Sequence, residues 1–334
     1  MRRVVVIGVL AVAVASTNGT APPWCRGPPS SVIDLTSARG AESTSDPGKP
    51  VPFIIAMMGP RVGSKMLRSM LEGWGGGNKV ECWGEQTEQR LSDRWPGDLT
   101  ARYRLGKFYG SPDYSKKAGY AALGYKTERL LEYSDGRYGF GPFYTLGDAK
   151  NDTLAKLGVR VVCLSRLNVI ARMAAGQRKS SNYETDATLA CDAKTKTSHV
   201  VEHYAGQQAR VNAFYSACSA LGRSTRTLWV PYEAAKDRSP IQKTSLDALQ
   251  RFLGLKPIRA MRAASDSCEP PAAVDAYVAN AAECDAAFDA AFSAECAATY
   301  RGMLHDPAWP HGGARRRRQL ANKKDAPLED KYRC

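Results

Sequence analysis

The sequence has few histidines and no closely spaced cysteine pair. Only four of its 334 residues are histidine, the first at position 199, and its nine cysteines form no Cys-x-x-Cys motif. Zinc sites depend on such ligands at short spacings. The sequence therefore predicts no metal site.

Long hydrophobic runs are also scarce, which excludes a transporter with several membrane spans. The one strong run, residues 4–15, follows Arg2 and Arg3 and ends in small residues before Ser16. This order is typical of a signal peptide over residues 1–15. The alternative is an uncleaved signal anchor, which would attach the protein to a membrane through its N-terminus. Both interpretations place the rest of the chain in the oxidising secretory pathway.

Acidic residues are outnumbered by basic ones, 33 to 47, and the formal net charge is +14. This surplus favours an anionic partner but leaves nucleic acid, a nucleotide, an acidic sugar and a membrane surface open. The basic residues 315–324 have no interleaved aromatic side chains and no recognised reading motif, so no nucleic-acid partner is predicted. We expect the tail, residues 311–334, to be disordered. Alternatively, it holds an anionic glycan.

In an oxidising compartment, several of the cysteines are expected to form disulfides. The expected set comprises cysteines in polar or helical surroundings, namely Cys191, Cys218, Cys268, Cys284 and Cys296. Cys163 lies inside an apolar run, where a buried free thiol is expected. The odd total leaves at least one cysteine unpaired or intermolecular, and Cys334 is one candidate. Asn18 and Asn151 stand in glycosylation sequons, which matter only in a secreted chain.

Apolar runs alternate with helical patterns from residue 52 onward. The continuous apolar runs predict strands buried on both faces, at residues 52–58, 158–164 and 227–231. Helical patterns, beginning with one at Ser64, separate these runs. This alternation predicts an α/β fold with a mostly parallel sheet.

The remaining segments complete the predicted organisation. Residues 16–50 are rich in Pro, Ser, Gly and Thr without periodicity, which predicts a flexible stem. Residues 272–298 are Ala-rich and are predicted to be helical. The expected order after the signal is a stem at 16–50, an α/β domain at 51–260, a helical cysteine-bearing extension at 261–310 and the tail.

The turn at residues 59–65 lies between the first predicted strand and its helix. Helix N-terminal N–H groups and the helix dipole favour an anion at such a turn. The turn supplies flexible backbone, a hydroxyl and two cations through Gly59, Gly63, Ser64, Arg61 and Lys65. Met66 follows where a P-loop kinase carries the Ser or Thr that binds magnesium, which disfavours ATP or GTP chemistry and favours a metal-free nucleotide donor. The alternative is an ordinary glycine turn.

This turn resembles the 5′-phosphosulfate loop of sulfotransferases that use 3′-phosphoadenosine-5′-phosphosulfate. In that family a strand is followed by Pro-Arg-x-Gly-(Ser/Thr) and a helix, and this chain has Pro-Arg-Val-Gly-Ser at residues 60–64. Other segments resemble motifs of the bacterial trehalose and nodulation-factor type in the same order, at residues 82–85, 124–126, 164–172, 230–233 and 252–255. The resemblance covers residues 52–257 and implies a three-layer, P-loop-like fold.

The resemblance also implies residue roles. It assigns donor binding to Arg61, Gly63, Ser64, Lys65, Arg166 and Arg172, and catalysis to Glu85, Lys65 and Lys126. Glu85 is expected on the loop after the first helix, as the carboxylate base. The histidine base of the cytosolic sulfotransferases is absent, because no histidine precedes residue 199.

Each assignment has a structural alternative. Glu85 is otherwise a solvated surface residue, with Glu81 and Glu88 close by, and Lys126 is otherwise an exposed strand lysine. Arg166 is otherwise an ion-pair partner of Glu233. Tyr232 and Glu233 are expected to be architectural.

One departure affects the 3′-phosphate segment. The family usually carries a serine beyond the 3′-phosphate arginine, where this chain has Ala174 and Ala175. Either Ser180 or Ser181 replaces that serine, or Arg166 and Arg172 hold the 3′-phosphate without a hydroxyl.

The function implied by the resemblance is transfer of a sulfuryl group from the nucleotide to a hydroxyl. The expected acceptor is a carbohydrate or glycolipid, and the expected location is the Golgi lumen or the cell exterior. One alternative is a catalytically degenerate lumenal protein of the same fold that binds a nucleotide or glycan. Another is a nucleotide-dependent kinase.

Overall fold

The protein is described here by a computed structural model. It describes residues 25–41, 50–72, 79–85, 119–127, 154–173, 189–190, 197–236, 240–256, 278–279, 281–306 and 309–310. The predicted signal peptide, both sequons and the basic tail lie outside these residues. Within the described ranges, no helix is both long enough and apolar enough to cross a membrane.

The core of the fold is a six-stranded sheet. Counting those outside this sheet, the strands of the described residues are β1 (Ile33–Asp34), β2 (Val51–Met57), β3 (Val80–Glu85), β4 (Ala122–Thr127), β5 (Arg160–Ser165), β6 (Leu189–Ala190), β7 (Thr227–Pro231) and β8 (Val278–Ala279). The sheet order is β1-β7-β5-β2-β4-β3, and β6 and β8 form a separate parallel pair. All neighbours in the large sheet are parallel except β1 and β7. The predicted α/β class with a mostly parallel sheet is therefore confirmed.

Helices follow most of the described strands. They are α1 (Ala38–Ala41), α2 (Ser64–Glu72), α3 (Thr197–Leu221), α4 (Tyr232–Lys236), α5 (Pro240–Leu253), α6 (Ala281–Ala291) and α7 (Ala294–His305). Residues 169–173 are also helical. The helical pattern predicted to begin at Ser64 is confirmed by α2, which buries Leu67, Met70 and Leu71. The three-layer, P-loop-like arrangement stays a prediction.

The strand order fixes where a ligand is expected to bind. Strand β2 has β4 on one side and β5 on the other. The chain adds β3 and β4 on the first side, and later adds β5 and β7 on the second. In open α/β sheets, ligands bind at the carboxyl ends of the strands where the order reverses in this way. The candidate site is therefore expected beyond the end of β2.

The prediction of a flexible stem is wrong for residues 25–41. Strand β1 pairs with β7, and the Trp229 side chain donates from Nε1 to the Pro29 carbonyl oxygen at 2.9 Å. A disulfide joins Cys25 to Cys296 in α7. These contacts are with residues distant in sequence, so the local composition of the segment did not reveal them.

The prediction of a free thiol at Cys163 is also wrong. Cys163 in β5 is disulfide-bonded to Cys218 in α3, with the Cα atoms 6.4 Å apart. Both residues are fully buried, because α3 packs on β5 and β7. The expected disulfides are confirmed for Cys218, Cys284 and Cys296. The remaining members of the expected set, Cys191 and Cys268, and the unpaired candidate Cys334 lie outside the described residues.

The C-terminal extension is integrated into the domain. Residues 281–305 contain the two helices α6 and α7, but residues 278–279 form strand β8 rather than the predicted helix. Phe288 and Tyr300 stack with ring centroids 5.0 Å apart, and Tyr204 of α3 lies 5.5 Å from Phe288. This aromatic cluster attaches the extension to α3, the helix that packs on β5 and β7.

We expect the Cys163→Ala/Cys218→Ala variant to lose about 2–5 kcal/mol of unfolding free energy, because the disulfide constrains the unfolded chain. Denaturant unfolding measures the loss. Cys82→Ala is the control, since Cys82 is also fully buried but is a thiol. Peptide mapping after alkylation of the denatured, unreduced protein should label Cys82 and leave Cys163 and Cys218 unlabelled. Alkylation of Cys163 under these conditions would contradict the pairing.

Candidate functional site

The turn between β2 and α2 has an unusual backbone. Arg61 has φ 65° and Gly63 has φ 84°, so both lie in the left-handed region. For arginine this conformation is unfavourable, and residues held in it are concentrated at functional sites. The turn ends at Ser64, the first residue of α2, and Leu67 N donates to the Gly63 carbonyl at 3.1 Å. The first N–H groups of α2 therefore face away from the helix body, as in anion-binding turns.

Gly63 is required by packing as well as by its backbone angle. A Cβ atom at this position would lie 2.1 Å from Tyr232 Cδ2, so the tyrosine ring occupies the space of a side chain. Tyr232 begins α4, directly after β7. The ring therefore links the end of β7 to the turn that follows β2.

Lys126 reaches the same turn from β4. It is only 8% exposed, and its Nζ donates to Ser64 Oγ at 3.2 Å. The alternative of an exposed strand lysine is therefore wrong. No carboxylate among the side chains that the structure describes pairs with this ammonium. A buried ammonium needs compensation for its lost hydration, and a bound anion would supply it.

Lys65 is placed differently from Lys126. It is exposed at the second position of α2, whereas Arg61 is half-buried in the turn itself. Of the two lysines predicted to be catalytic, only Lys126 is held inside the protein. Lys65 is thus available to a ligand that covers the outer side of the turn.

Arg166, directly after β5, lies against the turn. Its Nη1 donates to the Arg61 carbonyl oxygen at 3.4 Å, and its guanidinium carbon lies 4.9 Å from the centre of the Tyr232 ring. Its Nε is buried without a hydrogen-bond partner. The alternative of an ion pair with Glu233 is not what the structure shows.

Glu233 instead holds the backbone that follows β5. Its carboxylate is buried and accepts hydrogen bonds from Leu167 N at 3.0 Å and Asn168 N at 2.9 Å. Asn168 Oδ1 accepts from Ala171 N at 2.8 Å and so caps the helical residues 169–173. Asn168 Nδ2 donates to the Met303 carbonyl in α7 at 2.8 Å. The architectural role expected of Glu233 is confirmed, but the contribution of the extension to this segment was missed.

Arg172 also approaches the turn. Its Nη1 lies 3.6 Å from Met58 Sδ, and its Nη2 would be 3.5 Å from a Cβ atom at Gly59. The structure therefore brings together Arg61, Gly63, Ser64, Lys126, Arg166 and Arg172. Ala174, Ala175, Ser180 and Ser181 lie outside the described residues.

Glu85 is not on a loop, as predicted, but is the last residue of β3. Its backbone is paired with Lys126 of β4, and a register shift between Trp83 and Glu85 precedes this pair. Without the extra residue, Gly84 would occupy the position beside Lys126. The irregularity therefore brings the backbone of Glu85 next to the lysine that contacts the turn. Such bulges are common beside active sites.

Cys82, on the same strand, does not offer a reactive thiolate. Burial, with a smaller contribution from the nearby Glu72 carboxylate, raises the pKa of this thiol to about 12. Because the thiolate is the nucleophilic form, Cys82 is inert near neutral pH. The chemistry at this edge of the sheet therefore depends on oxygen and nitrogen groups.

Comparison with protein-family models finds no match for this chain, and comparison with curated proteins finds none either.

We expect Gly63→Ala to destabilise the protein more than Gly119→Ala. Both glycines have left-handed backbones, φ 84° and 89°, but a Cβ at Gly119 would meet no atom of the described residues within 4 Å. Gly119→Ala should cost about 1–2 kcal/mol for the backbone alone. Gly63→Ala should cost about 1–3 kcal/mol more, because Tyr232 must move. Equal losses in denaturant unfolding would show that the packing of Tyr232 on Gly63 contributes nothing.

Proposed function

We propose that this protein is a sulfotransferase. It moves a sulfuryl group from 3′-phosphoadenosine-5′-phosphosulfate to a hydroxyl, on a carbohydrate or glycolipid, without a metal. The observation that carries the proposal is the buried Lys126 ammonium, whose Nζ lies 3.2 Å from Ser64 Oγ at the start of α2. An ammonium, a hydroxyl and helix N–H groups at one point form a binding site for a phosphate or sulfate group.

The other cations around the turn suit a ligand with several negative charges. Arg61 belongs to the turn, while Arg166 and Arg172 come from the segment after β5. In the proposal, the α2 N-terminus with Ser64 and Lys126 binds the 5′-phosphosulfate. Arg172 binds the 3′-phosphate, which is the role that the resemblance implies for it.

Lys126 acts on the leaving group. As the sulfur–oxygen bond to the 5′-phosphate breaks, negative charge accumulates on that phosphate. An ammonium fixed in a site with little water stabilises this developing charge more strongly than it would in water. The helix N-terminus beside Ser64 contributes in the same direction.

Glu85 is proposed as the general base. Its backbone pairs with that of Lys126, so the base and the cation belong to paired positions on the adjacent strands β3 and β4. The acceptor oxygen forms a bond to sulfur while its proton passes to the Glu85 carboxylate. The products are a sulfate ester and adenosine 3′,5′-bisphosphate, and the proton later leaves Glu85 to solvent.

The disulfides support a compartment for this reaction. The Cys25–Cys296 and Cys163–Cys218 pairs are expected in an oxidising environment such as the secretory pathway. Within the proposal, the protein works in the Golgi lumen or outside the cell, where carbohydrate hydroxyls are the acceptors. Nucleic acid is not a proposed partner.

Calorimetry with adenosine 3′,5′-bisphosphate tests donor binding. We expect the wild-type protein to bind it, and Lys126→Met to bind it about 10–100-fold more weakly, because a charge-assisted hydrogen bond is lost. Lys79→Met is the matched control, since Lys79 is an exposed lysine before β3, at the opposite end of the sheet. An absence of wild-type binding would overturn the proposed function. An equal loss in both variants would attribute the effect to net charge and refute the site.

The Glu85→Gln variant tests the proposed base. We expect kcat for release of adenosine 3′,5′-bisphosphate, with a panel of oligosaccharide acceptors, to fall by about 10²–10⁴-fold while donor affinity is unchanged. Glu81→Gln is the control, because Glu81 lies on the same strand. Normal turnover by Glu85→Gln would show that the base is elsewhere, and loss in Glu81→Gln alone would identify Glu81 instead.

A further inference from the structure

We propose that Arg166 is a positioning residue that holds the phosphate-binding turn, rather than a ligand of the 3′-phosphate. Tyr232 orients it, and the two residues are called the Arg166–Tyr232 pair. This inference rests on the proposed function, because it concerns how the same donor is bound. It differs from the role that the resemblance implies for Arg166.

The contacts of Arg166 point toward the protein. Nη1 donates to the Arg61 carbonyl oxygen at 3.4 Å, and the guanidinium lies over the Tyr232 ring at 4.9 Å. Nε has no exposed surface and no hydrogen-bond partner, so a ligand cannot reach it. A guanidinium that binds a phosphate through two parallel hydrogen bonds needs two accessible N–H groups on one edge. The edge that includes Nε is therefore closed to the 3′-phosphate.

The turn needs such a support. Arg61 has φ 65°, a conformation that a non-glycine residue keeps only when its surroundings enforce it. The direction of the Arg61 carbonyl is tied to the orientation of the N–H groups that follow in the turn. By donating to this carbonyl, Arg166 favours the backbone conformation in which those N–H groups face the donor.

Tyr232 contacts both parts of this arrangement. Its ring takes the space of a side chain at Gly63, and it also lies beneath the guanidinium of Arg166. Guanidinium groups stack favourably on aromatic faces. The ring thus connects the end of the turn at Gly63 with the cation that holds the turn at Arg61. The sequence order of these residues does not show this connection, because they follow three different strands.

A comparison of two ligands distinguishes positioning from direct binding. Adenosine 3′,5′-bisphosphate has both phosphates, and adenosine 5′-monophosphate lacks the 3′-phosphate. We expect Arg166→Met to weaken binding of both ligands by the same factor, about tenfold, because the shared 5′-phosphate site is disturbed. The ratio of the two affinities should stay at its wild-type value. Calorimetry gives the bisphosphate affinity, and competition against the bisphosphate gives the monophosphate affinity.

The Tyr232 variants test the second member of the pair. Tyr232→Phe keeps the ring and should bind both ligands like the wild type. Tyr232→Leu should weaken both by about the same factor as Arg166→Met, and the double variant should be little weaker than either single variant. Thermal unfolding of each variant verifies that it is folded. If Tyr232→Leu is not folded, the result for Arg166→Met alone tests the proposal.

The outcomes separate the two proposals. A loss confined to the bisphosphate would make Arg166 a 3′-phosphate ligand and overturn the inference. Unchanged affinity for both ligands would overturn it too. If the wild-type protein binds neither nucleotide, the proposed function itself fails. Normal wild-type binding with an altered affinity ratio in Arg166→Met refutes only the inference.

Discussion

The parallel pairing of β2 with β4 on one side and β5 on the other is the constraint on which the rest of the structure depends. The register aligns Ile55 with Lys126 and Met57 with Leu164, so the strands end at one edge. Strand β7 continues the alignment by pairing Pro231 with Ser165. Every group of the candidate site leaves the sheet from this edge. A shift of one residue in any pair would turn the side chains to the opposite face and separate the site.

The segments at both ends of the described chain complete this arrangement. The C-terminal helix α7 accepts a hydrogen bond from Asn168 through the Met303 carbonyl, and it is joined to Cys25 by a disulfide. The segment that carries Arg166 and Arg172 is thus fixed by Glu233 on one side and by α7 on the other. These connections explain why the extension behaves as part of the domain rather than as an appendage.

The sequence predicted the elements better than their partners. Continuous apolar runs revealed β2, β5 and β7, because strands buried on both faces are mostly apolar, and the glycines revealed the turn. The apolar run around Cys163 correctly indicated burial, but the disulfide depends on where α3 crosses β5. Glu85 was misplaced for a related reason, since a register shift in an edge strand has no local signature. The hydrogen bonds of Glu233 likewise depend on the adjacency of β5 and β7.

Strand β1 has a consequence for how the sheet meets other molecules. It is only two residues long, yet it pairs with Leu228 and Trp229 and covers the outer edge of β7. An uncovered strand edge exposes backbone donors and acceptors that can pair with another chain. A chain shortened to begin at residue 50 would expose the β7 edge and remove the partner of Cys296 at the same time. The segment before the first central strand therefore shields the β7 side of the sheet from pairing with another chain.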